Sequence, residues 1–436
     1  MRIKLTQLLF KPLSHFGISR SLQATALWSM LESFASPLFS LLLIPILTHN
    51  IGLEKYGLYV MIFAFVNFFS FTGLGMNTSI TYYLAVNQHT KNATNISGRL
   101  GTALSLTLIG TVTFSLLFIL TLTLFKEMLG VVYPQLVQHL FLVYAALLIL
   151  ILTQCDMVIS AALKGLQQFK VSSKIEFMIR AIWFLVVMLV TVLIKEVGAI
   201  VFSIVIIVLM GLILRFRALR NVIELKVSNL KIHKIYINEF FHFGKWMTLQ
   251  NIAGSMYGSL DKIIMGSLFG SKVVGIYNVI LSITQLIHFV PANMLTFIMP
   301  KIANDKVTFT LATFKKIFAI TIISAGLIAI VICTLKQFIF YKFSIDSVYS
   351  PLFYGLIISF ILMSLNIPSY YVALGLNLIK HVSIQCVLGA MAGILSLLLL
   401  ASKYGIFAVL ASKLIYSLIA IFLLIPVLNK MRLVNQ

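Results

Sequence analysis

Six ionisable side chains sit deep inside apolar stretches of this 436-residue chain: Glu32, Asp156, Arg180, Asp261, Lys262 and Lys413. A charge is costly in hydrocarbon. Such residues pair with one another, reach for an interface, or face a wet interior where an ion or polar ligand meets them. Glu32 has no basic residue within four positions. It is the first candidate for a carboxylate that binds a coupling ion, Na+ or H+, against the plainer reading of a protonated carboxyl bonded between helices. Asp261 and Asp156 are the other coupling-ion candidates. Lys262, Lys413 and Arg180 are the candidates for contact with an anionic ligand, and each also has a plainer reading. Glu176 stands four residues before Arg180, the spacing of a helical ion pair. Lys262 and Lys413 lie close enough to a helix end to snorkel. Asp261 and Lys262 point about 100° apart around a helix, so one is expected to face a cavity and the other a neighbouring helix.

Neutral polar residues also interrupt the apolar runs: Asn67, Gln250, Asn251, Tyr257, Gln285, His288, Asn293, Asn366 and Tyr370. Sugar hydroxyls need such groups, and hydrogen bonds between helices use the same types. Asn67 and Gln285 stand out because they recur at equivalent places in an internal repeat. The eight histidines make no metal-ligand spacing, and Cys155, Cys333 and Cys386 form no CxxC pair. Neither a metal centre nor a cofactor is expected, and the thiols read as buried and inert.

The elements that position these groups follow from composition. The chain is 60% hydrophobic and 10% charged, with a mean hydropathy of +1.05. That lies outside the range of soluble domains. Segments of roughly 20 apolar residues can cross a bilayer as helices, and twelve are legible: Leu22–Thr48, Gly57–Tyr83, Leu100–Phe125, Leu136–Leu163, Ile175–Ile194, Val197–Leu214, Phe243–Phe269, Val273–Ile298, Phe314–Phe338, Tyr349–Leu374, Ile379–Leu400 and Tyr404–Leu428. The net charge of +22 is spread over short clusters between these runs, which excludes a nucleic-acid-binding face. Alternate connections hold 23 of the 33 basic residues, Arg215 among them, against seven on the opposite side and three within helices. By the positive-inside rule both termini are cytoplasmic. Pro37, Pro45, Pro291 and Pro368 free backbone carbonyls within helices, which suits segments that bend and also occurs in static ones.

The chain repeats itself at an offset of 218 residues, where Gly52, Gly57 and Tyr59 return as Gly270, Gly275 and Tyr277. Asn67 meets Gln285 and Thr78 meets Thr296 at the same offset. Two six-helix halves of the same sense are therefore expected: an all-α membrane protein with residues 1–220 and 239–436 as bundles and a basic linker at 221–238. Every connection is short, with no room for an extramembrane catalytic domain.

The ordered motifs resemble a known family. Ile46-Leu-Thr-His-Asn-Ile-Gly-Leu-Glu-Lys-Tyr-Gly-Leu-Tyr59 with Gly73-Leu-Gly75, then Leu163-Lys-Gly-Leu-Gln-Gln-Phe169, then Leu260-Asp-Lys-Ile-Ile-Met-Gly266, and finally Ala373-Leu-Gly375 and Lys403-Tyr-Gly-Ile406 are similar to bacterial polysaccharide flippases of the multidrug/oligosaccharidyl-lipid/polysaccharide exporter superfamily. The resemblance implies two bundles around a central cavity and alternating access. Its implied cargo is an undecaprenyl-diphosphate-linked oligosaccharide, such as an O-antigen repeat unit for lipopolysaccharide, carried to the outer leaflet of the bacterial inner membrane. Membrane lipids and a polysaccharide polymerase are the implied partners. A cation-coupled antiporter of small molecules is the alternative within the superfamily, and would favour an acidic cavity. A membrane glycosyl polymerase or ligase is the enzymatic alternative, and would favour a large outer loop.

Overall fold

The computed structural model of the chain describes residues 20–86, 93–124, 140–223, 232–295, 298, 302, 310–376 and 378–434. Long helices dominate because a segment in lipid must satisfy every backbone N–H and C=O internally. In chain order they are α1 (Arg20–Phe68), α2 (Met76–Val86), α3 (Ala93–Leu124), α4 (Leu140–Gly165), α5 (Phe169–Leu193), α6 (Val197–Ile223) and α7 (Lys234–Phe269). Then come α8 (Ser271–Thr284), α9 (Leu286–Met294), α10 (Leu311–Thr334), α11 (Lys336–Lys342), α12 (Ser350–Ser364), α13 (Ile367–Gly375), α14 (Ile379–Tyr404), α15 (Ala408–Ile421) and α16 (Leu424–Val434).

Among the described residues, nine stretches are long and apolar enough to cross a membrane. Two of them hold a turn and so cross twice: Pro37–Gly73 passes Gly52, and Ile379–Met431 passes Gly405. The helix α7 is a further pass, less apolar than the other long helices because Gln250, Asn251, Asp261 and Lys262 interrupt it. The result is the expected architecture of twelve passes. We number these spans 1 to 12, with α1 supplying span 1 and the start of span 2.

The two repeats bend alike. Gly52 and Gly270 both have left-handed φ, 77° and 83°, at the turns into spans 2 and 8, a conformation open to glycine and strained for other residues. Four spans are broken in mid-course. Span 2 passes through a 3-10 turn at Phe69–Gly73, with Leu74 and Gly75 at φ 53° and 65°. Span 8 breaks at Gln285 between α8 and α9, span 10 at Leu365 and Asn366 ahead of Pro368, and span 12 between α15 and α16. Irregular backbone at membrane depth is tolerated where it is buried in protein or lines a wet space.

In the first half α1 packs on α5, α4 lies against α2, α3 and α6, and α5 lies against α6. In the second half α7 packs on α14, α14 and α12 on α15, and α9 on α10 and α12. The halves meet chiefly where α1 crosses α8 and α7. Stripes of exposed leucine and isoleucine, such as Leu116, Leu117 and Leu120 on α3 and Ile323, Leu327 and Ile330 on α10, face outward to lipid. Thr102, Thr111, Ser115 and Thr321 satisfy their hydroxyls on carbonyls four residues back.

Candidate functional site

At the end of the molecule where Gly52 and Gly270 turn, the two halves are in direct backbone contact. A methyl group on Gly57 would overlap the Ser271 carbonyl, and one on Gly275 would overlap the Leu53 carbonyl. The repeated glycines legible in the sequence are thus the two sides of one crossing, where the absence of a side chain lets backbones approach. The Asn278 amide donates to the Tyr56 hydroxyl at 2.7 Å beside it. Away from this crossing, toward the end that carries most of the basic residues, the halves separate around a cavity of about 630 Å³.

The broken spans deliver the cavity's walls. Asn67, Ser70, Gly73, Gly75 and Asn77 come from span 2, His288 from span 8, Asn366, Tyr370 and Tyr371 from span 10, and Tyr416 from span 12. Unbroken helices add Gln154 from α4, Gln250, Asn251, Gly254, Ser255 and Gly258 from α7, and Gln385 from α14. The wall mixes these polar groups with apolar side chains such as Met157, Met363 and Ile367 and, among the described residues, carries no charged side chain. Ser70 and Ser255 hydroxyls bridge the two halves at 2.9 Å, and Gln250 donates to the Tyr370 hydroxyl at 3.1 Å. Nearer the basic end, α7 is tied to the first half. Arg99 meets Glu239 at 3.3 Å and lies 4.7 Å from the centroid of the Tyr236 ring, while Tyr83 donates to the Glu239 carbonyl at 2.9 Å.

Of the predicted ionisable residues, Asp156, Arg180, Asp261 and Lys413 stand off this wall in two networks, the first partly buried and the second almost fully so. In the first half the Arg215 guanidinium is held by Asp156 and Glu176, and Glu176 also accepts from Arg180 at 2.8 Å. Two acids and two bases thus join α4, α5 and α6 into a neutral cluster. Arg180 makes the helical pair that its spacing suggested. Arg215 corrects the sequence reading, which placed it in a basic connection: it lies within α6 and is only 1% exposed. The signal was weak, because Arg215 falls where the apolar run ends and is followed closely by Arg217 and Arg220.

In the second half Asp261 accepts from Lys413 at 2.8 Å and from the Tyr277 hydroxyl, joining α7, α15 and α8. Lys413 also donates to the Tyr257 carbonyl at 3.2 Å and lies 4.0 Å from the centroid of the Tyr257 ring, which stacks on Tyr416. Both charged side chains are almost fully buried, 4% and 3% exposed, so Lys413 neither snorkels nor reaches the cavity. Asp261 turns to the neighbouring helices. Lys262, adjacent to it, donates to the carbonyl of Gly258, a cavity residue, at 2.9 Å. Among the described residues no carboxylate pairs with Lys262. It stands one helical turn beyond Gly258, which puts it on the cavity's stripe of α7 on the side of the glycine crossing.

Of the neutral candidates, Asn67, Gln250, Asn251, His288, Asn366 and Tyr370 reach the wall. Gln285 sits exposed at the break in span 8, off the wall, and Asn293 donates to its own helix at the Phe289 carbonyl. The side chain of Glu32, Thr296 and residues 224–231 of the 221–238 linker lie outside the described residues. Sequence reading passed over Asn77, Gln154, Gln385, Tyr371 and Tyr416 on the wall. Gln154 and Gln385 were findable, each being a lone amide within a long apolar helix.

Comparison with known proteins agrees with this architecture. Residues 22–306 match the family described as polysaccharide biosynthesis protein. No curated protein sequence matches the chain. Among solved structures, the inward-facing conformation of a multidrug resistance MATE family transporter of the MOP superfamily superposes with a TM-score of 0.73 at 12% identity, covering 93% of this chain and 99% of that one. An outward-facing conformation of such a transporter gives 0.68 at 14% identity, covering 95% and 96%. A MOP superfamily transporter from Pyrococcus furiosus, described as having reverse polarity of its binding pocket, gives 0.61 at 12% identity, covering 94% and 95%. At such identities the likeness is one of fold. With the match covering most of its length, the chain is a multi-pass membrane protein that belongs to the polysaccharide biosynthesis protein family and has the fold of MOP superfamily transporters.

Proposed function

We propose that the chain is a flippase, not an enzyme, which carries an undecaprenyl-diphosphate-linked oligosaccharide of the O-antigen type from the cytoplasmic to the outer leaflet by alternating access. The observation that carries this reading is the cavity between the halves, of about 630 Å³ and lined by uncharged amides, hydroxyls and tyrosine rings among apolar side chains. That volume lies within the usual range for ligand sites. A sugar headgroup needs such a lining to leave water. A cation exporter would need acids on the wall, and the described wall has none. In this reading residues 1–220 and 239–436 are the moving halves, with the basic connection and both termini cytoplasmic. Closure at the glycine crossing, with the cavity nearer the basic end, then corresponds to a state loaded from the cytoplasm. The diphosphate is met by Lys262, whose ammonium has no described carboxylate partner and borders the cavity stripe of α7. Glu32 is the remaining candidate for the coupling ion, because Asp156 and Asp261 are already engaged by bases.

Deleting the gene in its native bacterium should trap lipid-linked repeat units in the inner leaflet and abolish surface polysaccharide. Re-expressed Lys262→Gln should restore little export at normal protein levels, and Lys262→Arg most of it. Normal surface polysaccharide in the deletion strain, with no second flippase present, would overturn the function. Normal export by Lys262→Gln would remove Lys262 from it.

A further inference from the structure

The helix α7 is tied to a different half at each of its ends. Toward the basic end Glu239 pairs with Arg99 of α3, and the Thr248 hydroxyl donates to the Leu74 carbonyl at 3.1 Å. Ser255 follows, bonded to Ser70 of the first half. Gln250 also donates to Tyr370, so this stretch closes on both halves. Toward the glycine crossing, Asp261 is held in the second half by Lys413 of α15 and Tyr277 of α8. Met61 of the first half rests against Gly266 there. When the crossing opens, as the alternating access of the proposed function requires, a rigid α7 would have to give up the Arg99–Glu239 pair or the Asp261–Lys413 pair. A helix that bends between them keeps both.

Residues 254–259, between those two pairs, read Gly-Ser-Met-Tyr-Gly-Ser. Glycine weakens a helix interior relative to alanine, and Gly/Ser pairs are among the few places where helices kink sharply. At Gly57 and Gly275 a close backbone accounts for the missing side chain. A methyl on Gly254 or Gly258 would meet no atom within 4 Å. Both glycines border the cavity, which leaves α7 room to fold. The Lys262 ammonium donates to the Gly258 carbonyl at 2.9 Å, a ready partner when a bend draws that carbonyl away from its helical amide. We infer that α7 is hinged across residues 254–259, so that its crossing end follows the second half while its basic end stays on the first.

Distances between spin labels test the hinge in the purified full-length chain, its three native cysteines replaced, in lipid nanodiscs. Glu54→Cys with Leu268→Cys reads the crossing end, and Lys170→Cys with Ile235→Cys the basic end; all four positions are exposed. Gly57→Ala, which presses the halves apart at the crossing, should give the first pair a second, longer distance and leave the other pair in place. Adding Gly254→Ala and Gly258→Ala, which fit the open space and stiffen α7, should cut the longer population roughly tenfold. Gly258→Pro, which kinks the helix outright, should populate the longer distance without Gly57→Ala. A longer population that ignores the two alanines, both pairs lengthening together, or no longer population in any variant would overturn the hinge. If the two glycines serve instead to make room for cargo, the alanines leave the distances untouched. No cargo enters these measurements, so loss of the hinge leaves the flippase reading standing, and failure of the deletion experiment leaves the hinge standing.

Discussion

Lys413 and Lys262 look alike in the sequence, each a base inside an apolar span and close enough to one end to snorkel, and the structure gives them opposite surroundings. Lys413 shares Asp261 with Tyr277 and is sealed from the cavity, whereas Lys262 leans on a cavity carbonyl. Removing one partner of a buried pair leaves an uncompensated charge and costs about 3–5 kcal/mol, while replacing both can be nearly neutral. Lys413→Gln is therefore expected to lower the unfolding temperature of the detergent-solubilised protein strongly. The double variant with Asp261→Asn should recover most of the loss, and additive losses in a thermal unfolding series would refute a coupled pair. That the two adjacent residues Asp261 and Lys262 diverge was legible from helical geometry alone. That Lys413 would be the acid's partner was not, because contact between residues 152 positions apart depends on how α7 and α15 lie against each other. Arg215 escaped for a related reason: its two acids stand on other helices, and its own neighbours in sequence are those of a loop.

At the scale of the element, glycine spacing proved the most informative local signal. The repeat of Gly52, Gly57 and Tyr59 as Gly270, Gly275 and Tyr277 predicted two equivalent turns, and both are present with the same left-handed φ. Nothing in the spacing said that the inner glycines would meet each other. Since a single methyl on either overlaps a carbonyl of the opposite half, Gly57→Ala is expected to part the crossing and bias the protein toward opening at that end. In an otherwise cysteine-free background, Asn278→Cys, now beside Tyr56, should be labelled faster by an impermeant maleimide when Gly57→Ala is present. Unchanged labelling would mean that the crossing yields without opening. The breaks in the spans were partly legible. Pro368 pointed to the one in span 10, whereas Gly73 and Gly75, at the break in span 2, were read only as part of a family motif. The break at Gln285 precedes Pro291 by too far for proline to predict its place.

For the whole molecule, number and order of the spans were readable from hydropathy, because lipid forces each crossing to be a long apolar helix. The cavity was not, since its residues come from seven spans and lie dispersed from Asn67 to Ala420. The orientation remains a prediction of the charge distribution. Reporter fusions after Lys272 and Lys403 should report the outer side, and one near Lys231 the cytoplasm. A cytoplasmic signal at Lys403 would break the assignment of both ends.

The contact of Gly57 with Gly275 has a further consequence, for how the chain is made. Its two sides are 218 residues apart. At about 5–20 residues per second, the later one leaves the ribosome on the order of ten to forty seconds after the earlier one. Throughout that interval the nascent first half carries an uncovered face of small residues, with the Tyr56 hydroxyl waiting for an amide not yet synthesised. Such a face is adhesive toward any helix that fits closely. Synthesis therefore competes with encounter: the growing chain must close on its own second half before another nascent copy reaches the same glycine.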